Sequence, residues 1–335
     1  MRLMHTLIGT GRRRWITLSA CAVLALCAAY LVWLDHEPEP FDPLARAEAR
    51  AERLGHEVVT GYVTTSALID VMETLLNKRG GYLNNDVLPP WIVLDNMPSW
   101  EVGVIFQARD LARTLRNDFS RSQTQSAEDR ALAIADPQFS FDYGSWWLPS
   151  TEGEYREGID QLEDYLARLG SPGGEARFYD RADNLREYLA LVEKRLGNMG
   201  QQLSASVGDR RRNTDLSGDA AARPSSDLGR EVRVKTPWLR IDNVFYEARG
   251  TTWALIHFLK ALDHDFAAVL RDKNAEASLD QIIRELEASQ RQVWSPVILN
   301  GGGFGMFANH SLVMANYIAR ANAAVIDLRR LLEQG

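Results

Sequence analysis

Cysteine is nearly missing from this chain: 335 residues hold only Cys21 and Cys27. Two thiols exclude a Cys-based zinc framework and leave little room for disulfide chemistry. An excess of basic charge is missing too. The net charge is −7 and the pI is near 5.5, which excludes a general nucleic-acid binder, because that function needs a basic surface. Period-two alternation is confined to the short stretch Glu231–Lys235, so a sheet cannot be the main plan. No G-x-S-x-G elbow occurs, which removes the serine-triad reading. What is present, 45% apolar, 25% charged and 9% aromatic residues, is the composition of an ordinary folded protein. The length allows about two or three modest domains.

Charge is also absent from Trp15 to Leu34, WITLSACAVLALCAAYLVWL. At ~1.5 Å per residue such a helix spans ~30 Å, the thickness of a bilayer's hydrocarbon core. Trp15 and Trp33 fall near its ends, where indoles prefer the headgroup region. Residues 1–34 carry four arginines and no acid, whereas the remaining 301 carry 34 basic and 45 acidic groups, a net of −11. Arg12, Arg13 and Arg14 precede the run; Asp35, Glu37 and Glu39 follow it. The positive-inside rule then keeps residues 1–14 in the cytoplasm and exports the rest. A cleaved signal peptide fits less well, because the apolar run continues to Leu34 with no small-residue pair at its end. Leu18-Ser19-Ala20-Cys21 suggests a lipoprotein, but only six residues separate Arg14 from that cysteine. Arg12-Arg13-Arg14-Trp15-Ile16 is similar to a twin-arginine signal, which alters the route rather than the destination. The expectation is a single-pass bacterial inner-membrane protein with a periplasmic body, meeting the lipid bilayer through residues 15–34. Both cysteines then lie in the membrane, and the body has neither disulfides nor a thiol nucleophile.

The body reads as all-α, a multi-helix bundle of antiparallel helical hairpins. Residues 35–60 give a Pro-rich acidic spacer and a short helix over about 44–55. Helical region I, 61–206, includes candidates near 65–78 and 99–119. Thr151 with Glu154 forms a capping box before Tyr155, Ile159, Leu162, Leu166 and Leu169, and a second stripe runs from Ala182 to Leu203. Residues 207–236 hold hardly any large apolar side chain and read as a disordered connector. Region II, 237–335, opens with a stripe from Ile241 to Val269. Ser278 with Gln281 forms another capping box, and a last helix spans about 306–332. Heptad spacing suits near-parallel packing of region II on region I.

Chemistry has one focus, the aromatic and acidic cluster between 91 and 155. Aromatic faces beside carboxylates suit sugar stacking and acid/base cleavage of glycosidic bonds. Candidate acids are Glu101, Asp142, Glu152 and Glu154; candidate binding residues are Tyr82, Trp100, Trp146, Trp147, Asn309 and His310. The competing reading makes the aromatics bundle-end caps, since no pair of acids is singled out by spacing. The polar run Ser120–Ser126 fits a cleft lining or a solvated link between helices. His257 and His264, seven apart, lack the i, i+4 spacing of a metal pair, so neither metal nor cofactor is expected. The glycines before His310 lack the preceding strand and following Lys-Ser/Thr of a phosphate loop.

The stretches Lys78–Asp86 (KRGGYLNND), Leu94–Glu101 (LDNMPSWE), Ser120–Asp129 (SRSQTQSAED), Trp294-Ser295-Pro296 and Leu299–Leu312 (LNGGGFGMFANHSL) resemble a bacterial family known as domain of unknown function 2333. The resemblance covers most of residues 60–332. It implies a Gram-negative, membrane-anchored protein and supplies no reaction, ligand or catalytic residue. The expected function is non-enzymatic binding or scaffolding of envelope components, with an envelope protein or peptidoglycan as partner and no nucleic acid. The alternative is an envelope enzyme acting on glycan or lipid-linked substrate through the 91–155 region. A sensor ectodomain would have to signal through a membrane partner, because about 14 residues precede the span.

Overall fold

A computed structural model describes residues 2–89, 91–122, 128–212, 231–295, 297–302 and 306–334. Among the described residues there are eleven α-helices and one two-stranded ribbon. Helix α1, Arg2–Leu34, contains a stretch, Arg14–Leu34, of mean hydropathy 2.1 that the rest of the chain leaves uncovered except at its end, where Leu34 is buried. It is long and apolar enough to cross a membrane, a test that a signal sequence also passes.

The other helices are α2 (Pro43–Leu54), α3 (Tyr62–Asn77), α4 (Asn96–Thr114, running on into one π turn, Leu115–Phe119), α5 (Arg130–Phe139), α6 (Thr151–Gly170) and α7 (Ala182–Ser204). After these come α8 (Ile241–Asp265), α9 (Ala267–Asp272), α10 (Glu276–Ser289) and α11 (His310–Glu333). Local signals set several boundaries. Asp42 caps α2 by accepting from Leu44 N at 3.0 Å, Pro43 opens it, and Gly55 at φ 68° closes it. Cap chemistry differs from expectation at two places. Ser150, not Thr151, accepts from Gly153 N at 3.2 Å, because the Thr151 hydroxyl donates back to the carbonyls of Asp142 and Ser145. At α10 the helix opens at Glu276, ahead of Ser278, and Gln281 bonds Glu285 along the helix instead.

Helices α3 and α8 are buried along most of their length and form the axes of the core. Helix α3 packs on α2, α4, α6 and α8; α8 packs on α4 and α10; α7 pairs with α11 and α5 with α6. One continuous apolar cluster runs through residues on both sides of the 207–236 segment. That expected connector lies outside the described residues from 213 to 230. At its ends β1 (Asp209–Arg212) pairs antiparallel with β2 (Glu231–Val234).

The helices shuttle between two ends of the bundle. At the distal end Asp265, closing α8, accepts from Thr64 N and Oγ1 at 2.7 Å each and so caps α3, whose N-terminal glycine has no side chain to do so. The described residues of the links 55–61, 120–129, 171–181 and 266–275 gather there, tied by Glu57 N to Gly170 O and by Arg168 to Asp129. The described residues of the links 78–95, 140–150, 205–240 and 290–309 gather at the opposite end, where α1 leaves. Asn85 holds the Ser145 carbonyl, and Asn300 holds that of Ser206.

Two glycines let α4 and α8 cross closely. A Cβ on Gly103 would lie 2.1 Å from the Glu247 carbonyl oxygen, and one on Gly250 would lie 1.9 Å from that of Trp100. Both obstacles are backbone, so neither can give way by rotating. Gly250→Ala is therefore expected to cost about 2 kcal/mol or more. Gly197→Ala, with nothing nearer than 3.7 Å, should gain about 0.5–1 kcal/mol from helix propensity. Denaturant melts of the two variants check this; equal effects would contradict the crossing.

Candidate functional site

The acidic, proline-rich segment 35–43 is extended, as its prolines require, but it is not a free spacer. It lies across the body as a strap. Leu34 is fully buried and sits against Gly80, whose φ is 82°; a Cβ there would stand 2.6 Å from the Leu34 methyl. One residue on, Asp35 accepts from the Asn96 amide at 2.8 Å, and burial pushes its carboxyl up. Glu37 then meets Arg249 of α8 in a two-pronged ion pair with Nε–Oε1 at 2.6 Å, both side chains largely shielded from water. Arg249 spends its remaining donors on the carbonyls of Ser289 and Arg291, closing α10 onto the same point. A buried guanidinium needs this saturation, since an unpaired one is strongly destabilising.

The strap ends on a histidine. The Phe41 ring stacks on His257 at 4.0 Å and meets Trp253 edge-on, while Arg46 lies over its other face at 3.8 Å. The Phe41 N–H donates to His257 Nε2 at 3.0 Å, and Nδ1 stands 2.7 Å from the Trp253 carbonyl. An acceptor at Nε2 and a donor at Nδ1 describe one neutral tautomer. Burial, aided by the Lys260 and Arg46 charges, lowers this imidazole to about 3.

Beside the strap, KRGGYLNND folds around a second buried pair. Lys78 and Glu101 form an ion pair out of reach of solvent. Glu101 also accepts from Leu83 N at 2.9 Å and Asn84 N at 2.7 Å, and Lys78 donates to the Gly81 carbonyl at 2.5 Å. Burial pushes the Glu101 carboxyl up, while Lys78 and the two amides oppose that. Tyr82 OH and the Asn84 amide hold the Tyr143 carbonyl at 2.6 and 2.9 Å, and Asn85 reaches Glu152 at 2.9 Å.

The residues singled out from sequence therefore separate. Glu101, Trp100 and Tyr82 are interior; Trp100 packs on Trp253 with centroids 5.1 Å apart, and burial drives the Tyr82 phenol upward. Glu152 braces Asn85, and Asp142 accepts from Gly144 N at 3.0 Å. Glu154 is half-buried in the first turn of α6. Trp146 and Trp147 stand exposed at the loop tip, 5.3 Å apart. Asn309 caps α11 through Leu312 N at 2.8 Å, and His310 beside it takes the Leu299 N–H; burial lowers His310. Of the polar run 120–126, residues 123–126 lie outside the described residues.

Glu37, Phe41, Arg249 and His257 were not foreseen as one site; the sequence singles out His257 only as half of a possible metal pair and Glu37 only for its charge. Their signal was a single aromatic inside an acidic proline run, and an Arg and a His inside an apolar stripe. Two open clefts flank the strap. One, of about 620 Å³, lies between it and the end of α3 and is lined by Glu37, Glu39, Glu73, Lys78 and Arg79. The other, of about 360 Å³, lies toward Arg249 and Gln292. Among the described residues no three His, Cys, Asp or Glu side chains converge as a metal site.

Glu37→Ala should cost about 3 kcal/mol by leaving Arg249 buried and unpaired. It should also expose the Phe41 N–H to hydrogen exchange. Retained protection would show that the strap does not depend on this pair.

The histidine sets a pH dependence. His257 titrates near 6.5 unfolded but holds no extra proton in the fold until about pH 3. The unfolded chain binds more protons between those values, so stability falls as the pH drops from 6.5 toward 3. Between pH 7 and 4.5 the native chain is expected to lose on the order of 2 kcal/mol more than His257→Gln, which keeps an acceptor for Phe41. Equal losses in thermal melts would contradict a neutral buried imidazole.

No curated protein sequence matches the chain, and neither does any solved structure. A family model described as "Uncharacterized protein conserved in bacteria (DUF2333)" matches residues 10–335. The match takes in most of α1, the strap and helices α2 to α11, and the chain belongs to that bacterial family.

Proposed function

We propose that this protein is a non-enzymatic adaptor of the bacterial inner membrane, with residues 1–14 cytoplasmic and the helical body periplasmic. It binds or scaffolds envelope components, an envelope protein or peptidoglycan, from a fixed position above the bilayer. The observation that carries this reading is the strap. A body on a free tether samples all orientations, whereas Leu34, Glu37 and Phe41 dock successive points of the exit segment onto Gly80, Arg249 and His257. Docking of Leu34 and Asp35 also supports an uncleaved anchor, since removal of α1 would strip the cover from Gly80. The rival reading, an enzyme cutting glycan or lipid-linked substrate, draws no support from the acids. Glu101 is sealed from solvent, while Glu152 and Asp142 brace loops.

Two measurements test this. A C-terminal alkaline phosphatase fusion should be active, and cross-linking of the full chain in membranes should recover a reproducible envelope partner, lost on Glu37→Ala although the protein stays in the membrane. An inactive fusion, or no reproducible partner, sinks the reading. Glu101→Gln separates the rival: leaving Lys78 buried without its counter-ion should cost about 3 kcal/mol or more. A catalytic acid would instead lose turnover at unchanged melting temperature.

A further inference from the structure

Outside α1, the exposed large apolar side chains are distributed very unevenly. Apart from Leu54 and Val58 at the distal end, they fall on the links that gather where α1 leaves the body, or on their margins. Leu88 and Ile92 stand on the link between α3 and α4, Trp146 and Leu148 on that between α5 and α6. Trp238 precedes α8, and Met306 precedes α11. Leu148 is 85% exposed, Trp238 79% and Met306 97%. Four separate connections, distant in sequence, thus carry unpartnered apolar groups to one end of the bundle. Monomeric soluble proteins seldom leave such concentrations facing water.

The position of that end identifies its occupant. Leu34, the last residue of the apolar stretch, is buried against Gly80, and Arg79 of the same link lies over the Trp33 ring at 5.6 Å. Trp33 marks the level of the headgroups. The link that carries Leu88 and Ile92 is therefore held at the membrane surface, and hydrogen bonds from Tyr82, Asn84 and Asn85 hold the Trp146–Leu148 loop to it. Exposed indoles, leucine, isoleucine and methionine beside a span match the residues that settle at the headgroup and acyl boundary. The acidic body gives no charge attraction to anionic lipid, so apolar insertion must supply the contact.

We infer that the four exit-end links form an apolar collar around the span that inserts into the leaflet of a zwitterionic phospholipid bilayer, with Ile92, Leu148 and Met306 below the headgroups. The collar gives the protein a second, non-spanning membrane attachment, and it seats the body against the surface. It rests on α1 crossing the bilayer, which the test reads separately.

The test uses the full chain reconstituted in phosphatidylcholine vesicles that contain doxyl-labelled lipid. In the Cys21→Ala, Cys27→Ala chain, a nitrobenzoxadiazole label is placed through Ile92→Cys, Leu148→Cys, Met306→Cys or, at the distal end, Leu54→Cys. In the Cys21→Ala chain it is placed on the native Cys27. Labels at 92, 148 and 306 should emit to the blue and be quenched at least about twofold by the lipid-borne doxyl, as at Cys27, while position 54 is unaffected. Collar labels that behave like position 54 while Cys27 is quenched overturn the collar and leave the span standing. An unquenched Cys27 overturns both. Blue-shifted but unquenched collar labels would mean that protein, such as a second copy of the chain, covers these loops, which also overturns insertion.

Discussion

Arg249 is the point on which the end of the body next to α1 depends. Its guanidinium joins three parts of the chain at one point: the strap through Glu37, helix α8 through its own backbone, and the end of α10 through the Ser289 and Arg291 carbonyls. A cation so shielded must have every donor met, and only a docked strap supplies the carboxylate. The constraint then passes along the strap in both directions. Upstream it brings Leu34 under Gly80; downstream it lays Phe41 over His257, where a neutral ring accepts the backbone N–H.

The neighbouring loops obey the same logic. The Lys78–Glu101 pair turns KRGGYLNND into a fixed clasp, and the clasp's side chains hold the 140–150 loop by its carbonyls. Carboxylates that looked like chemistry are thereby bound into architecture. The aromatics divide by the same rule. Trp100 and Tyr155 fill the interior, whereas Trp146 and Trp147 remain outside because the clasp grips the backbone beneath them and leaves the rings uncovered.

Much of this fold was legible in the sequence because helical periodicity is a local signal. The stripes at 151–169, 182–203 and 241–262 each became a helix with its apolar face inward. The long stripe to Val269 broke at Phe266 because that ring packs among Phe119 and Phe178 at the distal end, a tertiary contact no spacing announces. The capping box at Thr151 failed for a related reason: its hydroxyl had two carbonyls from the preceding loop to bond. The strap was illegible because its partners lie more than 200 residues away, at Arg249 and His257. Composition reports proline and acid at 35–43, and both suit a free linker equally well. The candidate acids were legible as residues but not as roles, since only the fold reveals that Glu101 faces two backbone amides.

The central claim is that the body is fixed relative to helix α1. The direct measurement is an electron–electron distance between spin labels on the native Cys27 and on Leu54→Cys, in the otherwise unaltered Cys21→Ala chain in lipid bilayers. A docked strap predicts a single narrow distance distribution, which broadens when Arg249→Leu removes the anchor point. A broad distribution in the native chain would contradict the account.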